Sequence, residues 1–163
     1  MHQHHDKRLT ATLLQNPIHF LSFGFGSGYM PVAPGTFGTL AAIPVFLWLS
    51  QFDTLNYVVI LSVMFMAGVW FCSYTSRALG VHDHKAIVWD EIVGYLITML
   101  MTAPSWQTVC AGFVLFRLFD IWKPWPINLL DQHVHGGLGI MLDDVLAGIY
   151  AALVLQLLMY WWV

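Results

Sequence analysis

Charge is what this sequence has least of. Charged residues occupy 9% of its 163 positions and apolar residues 58%, whereas an ordinary soluble domain carries about 25% charge. Six Lys/Arg and nine Asp/Glu are too few to cover a soluble domain of this length; a lipid-facing surface needs no such cover. The formal net charge of -3 comes without a basic patch or stripe, so the electrostatic footprint of nucleic-acid binding is missing and no nucleic-acid partner is expected. Cysteine is scarce too. Cys72 and Cys110 fall in separate apolar runs and read as buried thiols, which excludes a metal-ligating pair or a disulfide framework. There is no Gly-x-x-x-x-Gly-Lys-Ser/Thr loop and no dinucleotide fingerprint.

What the chain does have is apolar length. Five stretches stand out: Leu40–Leu49, Leu55–Thr75, Ile92–Ala103, Trp106–Phe119 and Val145–Val163. A straight membrane-spanning helix takes roughly 20 residues, with 17 near the lower limit. The first, third and fourth stretches fall short, which leaves them tilted, half-inserted or extended by residues facing a protein interior. Eight Trp and six Tyr suit a membrane interface. The expectation is an all-α fold: one domain over 1–163, a compact polytopic membrane helical bundle of about four to five apolar segments, some of them short. Residues 1–16, with His2, His4 and His5, read as a flexible polar tail.

Threading the chain back and forth from a cytoplasmic Lys7 and Arg8 returns every Lys and Arg to the cytoplasmic side. Asp83, Asp90, Glu91, Asp120, Asp131, Asp143 and Asp144 collect on that same side, and Asp53 falls in a far-side turn. An anchor without chemistry has no need of such sorting.

Three polar clusters border the apolar stretches. The first is His82-Asp83-His84-Lys85 followed by Trp89-Asp90-Glu91. Asp90 and Glu91 precede the third stretch, where carboxylates favour a helix start; a simple cap is the plain alternative. The second is Arg117, Asp120 and Lys123. Arg117 and Asp120 share a helical face, and Pro124 and Pro126 end the helix. Arg117 lies just inside an apolar run, where ionisable groups are usually functional; snorkelling to headgroups is the competing explanation. The third cluster runs from His133 and His135 through Gly136-Gly137-Leu138-Gly139 to Asp143-Asp144. Adjacent carboxylates repel until a cation or proton intervenes, and oxygen ligands suit magnesium. A cap with a salt bridge to Arg117 is the alternative.

Gly24-Phe25-Gly26-Ser27-Gly28 and Pro34-Gly35-Thr36-Phe37-Gly38 form a glycine-rich segment. Its backbone N–H groups, at Gly26, Ser27, Gly28, Gly35 and Thr36, are candidates for holding an anion, though such glycines also serve plain turns. Covalent-phosphatase devices are missing. Arg117 follows Cys110 at seven positions, one more than a cysteine-phosphatase loop has; no Asp-x-Asp pair and no Gly-x-Ser-x-Gly elbow occurs. Direct attack by water activated by a metal is the simpler route.

The ordered set Gly24-Phe-Gly-Ser-Gly28, Pro34-Gly-Thr-Phe-Gly38, Val81-His-Asp-His84, Val88-Trp-Asp-Glu91 with Gly94, Phe116-Arg-Leu-Phe-Asp120 with Lys123-Pro-Trp-Pro126, and His135-Gly-Gly-Leu-Gly-Ile-Met141 with Asp143-Asp144 and Ala147-Gly148 resembles the phosphatidylglycerophosphatase A family of bacterial membrane phosphatases. The resemblance spans nearly the whole chain, with Thr39 where a serine is also familiar. It implies a magnesium-dependent enzyme of the bacterial inner membrane, multi-pass, with its site facing the cytoplasm. Its substrate would be phosphatidylglycerophosphate, hydrolysed to phosphatidylglycerol and inorganic phosphate. On this reading Asp90, Glu91, Asp120, Asp143 and Asp144 hold Mg2+, directly or through water. Arg117 and Lys123 meet the phosphate. His82, His84 or His135 serves the leaving group. The lipid substrate and membrane lipids are the expected partners, and oligomeric state is left open. Two other classes stay open: a lipid phosphotransferase, which lacks here the Asp-Gly-x-x-Ala-Arg signature of CDP-alcohol transferases, and a non-enzymatic ion-binding membrane component.

Overall fold

A computed structural model describes residues 14–81 and 84–162, without the side chains of Asp131 and Trp162. Among the described residues the secondary structure is helical throughout: α1 (Pro17–Ser22), a 3-10 turn (Ser27–Tyr29), α2 (Pro34–Leu49), α3 (Thr54–Leu79), α4 (Trp89–Thr98), α5 (Trp106–Trp122), α6 (Ile127–His133) and α7 (Gly136–Trp162). The all-α expectation holds.

The helix ends follow from local chemistry. Asn16 caps α1 by accepting from the Ile18 N–H, and Asp53 caps α3 by accepting from the Asn56 N–H. Proline opens α1 and α2, where the missing N–H has no helical partner to lose. Gly80 closes α3 at φ +68°, in the left-handed region that suits glycine. Ser105 and Thr108 form a reciprocal capping box at the start of α5. Helix α5 stops at Trp122, as Pro124 and Pro126 require, and Lys123 takes the left-handed cap position at φ +44°.

Three boundaries depart from the sequence expectation. Helix α2 starts at Pro34 rather than near Leu40, because Gly35 and Thr36 continue from the proline into its first turn. Helix α7 starts at Gly136 rather than Val145, so Asp143 and Asp144 lie within a helix and not before one. The third stretch yields only the ten residues of α4, ending before Met99. At 1.5 Å per residue such a helix covers about 15 Å, too short to span.

Helix α4 is the axis of the core. Ile92, Val93, Tyr95, Leu96 and Thr98 are all buried, and α2, α3, α5 and α7 pack around it. Beyond its acidic first turn this helix is largely apolar all round, as suits a helix inside protein. Two of its polar groups find partners across the bundle: the Leu96 carbonyl accepts from the Tyr57 hydroxyl (2.8 Å), and the Trp89 indole N–H donates to the Met64 carbonyl (3.0 Å). Thr54–Leu79 and Gly136–Trp161 are each long and apolar enough to cross a membrane. Their outward faces carry Leu55, Val59, Val63, Met66 and Trp70 on α3 and Leu153, Leu157, Tyr160 and Trp161 on α7, all exposed.

Candidate active site

Four helix segments meet at one end of the bundle: the first turns of α2 and α4, the last turns of α5, and the second and third turns of α7. Asp53, at the start of α3, lies at the opposite end of that helix from Arg77.

Asp90 and Glu91 stand in the first turn of α4. Asp144 reaches them from α7, and one carboxylate oxygen from each of the three lies within 4.8 Å of the others. Asp90 and Asp144 are buried, Glu91 half-buried. Arg117 on α5 bonds Asp120 one turn later, and its Nη1 stands 3.9 Å from Glu91 Oε1. Spacing along the chain anticipated the first of these pairs. The next pairing was not foreseen: Lys123 Nζ donates to Asp143 Oδ2 at 2.6 Å. Twenty residues and a proline turn separate the two, so no local pattern could reveal it. The salt bridge considered for the Asp143-Asp144 pair is therefore made to Lys123.

Glycine contributes at one wall. A Cβ on Gly35 would collide with Glu91 Oε1 and stand 3.0 Å from Arg117 Nη1. The start of α2 thus lies directly against the acid–guanidinium pair, with Thr36 beside it. Gly26, Ser27 and Gly28 take a different position. That loop packs on the turn that leads into α4: Gly28 abuts the Ala86 carbonyl, Gly24 abuts Val88, and Ser27 Oγ donates to the Gly24 carbonyl at 2.7 Å. Close packing accounts for Gly24 and Gly28, and a φ of +89° for Gly26. His84 Nδ1 accepts from the Ala86 N–H at 3.2 Å and so stabilises the same turn, while His135 is exposed ahead of α7. His82 lies outside the described residues.

The charge balance is uneven. Five carboxylates (Asp90, Glu91, Asp120, Asp143, Asp144) gather with two cations, Arg117 and Lys123. Glu91 Oε2, Asp144 Oδ2 and Arg117 Nε are buried with no hydrogen-bond partner among the described residues. Converging buried carboxylates call for a cation or a proton between them, because burial removes the water that would screen them. Magnesium fits this donor set. It takes oxygen ligands at about 2.0–2.1 Å, which places opposite ligands roughly 4 Å apart, and it keeps several waters. The trio can reach one ion with small shifts of side chain or through bridging water.

The sequence profile described as phosphatidylglycerophosphatase A matches residues 20–159. A phosphatidylglycerophosphatase A of Escherichia coli K12 is 45% identical over 162 residues, covering 98% of this chain and 94% of that protein. One from Haemophilus influenzae is 45% identical over 150 residues, covering 91% and 92%. A Bacteroides thetaiotaomicron protein, named provisionally as a phosphatidylinositol-3-phosphatase, is 38% identical over 138 residues, covering 78% and 84%. No solved structure matches. Profile and relatives extend over the same helices that carry the acid cluster and its two cations, and the chain belongs to the phosphatidylglycerophosphatase A family.

Proposed function

We propose that the protein hydrolyses the terminal phosphate monoester of phosphatidylglycerophosphate, giving phosphatidylglycerol and inorganic phosphate, with magnesium at the α4–α7 carboxylates. One observation carries the site assignment: Asp90, Glu91 and Asp144 converge from two helices within 4.8 Å, beside a half-buried arginine. Family membership supports the substrate.

Arg117 is the phosphate clamp. Asp120 fixes one edge of its guanidinium, and the remaining N–H groups are available to two phosphate oxygens in a planar fork. Lys123, steadied by Asp143, adds a point charge. Gly35, in the first turn of α2, lies against the same space, where a helix N-terminus favours an anion, whereas the Thr36 N–H is already bonded to the Ala33 carbonyl at 3.0 Å. Magnesium, when held by the trio, supplies a Lewis acid that draws charge from the phosphate and eases deprotonation of the attacking water. Water attacks phosphorus in line, the phosphorus–glycerol oxygen bond breaks, and its electron pair leaves on the glycerol oxygen. That oxygen takes a proton, for which His135 and His84 are the candidates among the described residues. Most of the acceleration comes from positioning and charge stabilisation.

The apolar faces of α3 and α7 are the lipid-facing surface in this reading, and the distribution of Lys and Arg along the sequence supports a site at the cytoplasmic face of the bacterial inner membrane. The assay is phosphate release by purified protein in mixed micelles, with magnesium and with chelator, on phosphatidylglycerophosphate and on phosphatidylinositol 3-phosphate in parallel. Magnesium-dependent release from the first substrate is expected. Release that survives chelation removes the metal role; preference for the inositol lipid replaces the substrate.

A further inference from the structure

The three clustered carboxylates come from two helices, so their separation depends on how closely α4 and α7 approach. The contact beneath them is glycine on backbone. A Cβ on Gly94 of α4 would stand 2.8 Å from the carbonyl oxygen of Asp144 itself and 2.5 Å from Phe116 Cε2. A Cβ on Gly148, one turn further along α7, would collide with the Gly94 carbonyl and lie 3.1 Å from Ile97 Cβ. Thr98, fully buried, clasps the pair: its Oγ1 lies 3.1 Å from the Gly94 carbonyl oxygen and 3.3 Å from that of Gly148. Just above this contact Asp144 is 3% exposed, and its Oδ2 has no hydrogen-bond partner among the described residues.

We propose that Gly94 and Gly148, held by Thr98, are positioning residues that make the carboxylate site selective for a small divalent cation. This rests on the reading of that site as a magnesium site. The lengths agree. Restoring ordinary contact at Asp144 after adding a Cβ to Gly94 means parting the helices by roughly half an ångström. Magnesium–oxygen bonds are about 2.0–2.1 Å and demand near-octahedral geometry; calcium–oxygen bonds are about 2.3–2.6 Å and more tolerant. The bonds differ by about 0.2–0.6 Å, so parting the helices by half an ångström carries the carboxylates from the smaller cage toward the larger. The lost methyl groups keep the site small.

The test uses the full chain purified in detergent. Bound Mn2+ is read by electron paramagnetic resonance and displaced by Mg2+ or Ca2+. In the parent, Mg2+ displaces Mn2+ at lower concentration than Ca2+ does. In Gly94→Ala and Gly148→Ala the ratio of the two displacing concentrations moves toward Ca2+ by about tenfold or more, the scale of outer-shell effects on metal affinity. Gly112→Ala is the packing control. Its Cβ would press on the flexible Met99 thioether, away from the carboxylates, and the ratio stays at the parent value. Absence of saturable Mn2+ binding in the parent defeats the metal reading itself. Parent binding that favours Ca2+, or an unchanged ratio in a folded Gly94→Ala or Gly148→Ala protein, overturns the spacer role and leaves the metal reading standing. Should either variant fail to fold, the other variant and the parent ratio still decide.

Discussion

Arg117→Lys separates a phosphate clamp from a charged anchor. The Arg117 side chain is 16% exposed, bonds Asp120 and sits 3.9 Å from Glu91 Oε1. A guanidinium can serve Asp120 on one edge and two phosphate oxygens on the other. Lysine has the charge and comparable reach but a single ammonium, so engaging Asp120 leaves the phosphate with one contact fewer. Losing one transition-state donor typically costs about 2.7–4 kcal/mol, which is roughly 10²–10³-fold in turnover. Steady-state kinetics on short-chain phosphatidylglycerophosphate in mixed micelles, at saturating magnesium, measure the change. Circular dichroism confirms that the helices persist. The loss is expected in kcat more than in KM, because the fork matters most when charge spreads over the phosphate oxygens. A lysine variant within about threefold of the parent, against that 10²-fold expectation, refutes the clamp and leaves Arg117 as an anchor, since lysine snorkels equally well.

Asp144→Asn and Glu91→Gln each delete a carboxylate charge with little change in volume; both should abolish turnover and the magnesium-induced rise in melting temperature while preserving helicity. Retention of that rise in both variants argues against their holding the ion. Lys123→Met and Asp143→Asn should not be additive: the pair meets at 2.6 Å with side chains 27% and 9% exposed, and a double-mutant cycle on unfolding free energy is expected to show coupling of about 0.5–3 kcal/mol. Additive losses would mean that the contact contributes nothing to stability. In a background of Cys72→Ser and Cys110→Ser, His135→Cys and Asp53→Cys should label from opposite faces of sealed inverted vesicles, since they cap opposite ends of the bundle. Labelling from one face contradicts the proposed crossing of α3.

Particular residues show how far the chain could be read without its fold. Pro124 and Pro126 announce the end of α5, and Arg117 and Asp120 announce their own pairing, because both effects act over a turn or less. The low charge content and the long apolar stretches announce a helical bundle with long apolar helices, because hydropathy is a property of composition. Counting alternating crossings also put the carboxylates at one end; they do meet there, although α4 is too short for the crossing that the count gave it. The starts of α2 and α7 were less legible: glycine lowers helix propensity, so Gly35 and the Gly136–Gly139 run read as loops until packing holds them helical. Similarly, the loop carrying Gly26, Ser27 and Gly28 has the composition of an anion cradle but packs on the segment before α4, a choice that composition does not encode.

By itself the sequence determined the helical class and the family, and it named the acidic and basic residues that the bundle brings together. Tertiary structure alone decided which carboxylate joins which partner. Asp143 and Asp144 are neighbours in the chain, yet about 100° apart around the helix axis, so one turns to Lys123 and the other to Asp90 and Glu91. Which neighbour turns which way depends on how α7 is rotated against α4 and α5. That rotation is set by contacts such as Gly94 on Asp144 and Gly148 on Gly94, between residues about fifty positions apart, and by Lys123 reaching across twenty. Contacts of that range exist only once the helices have packed.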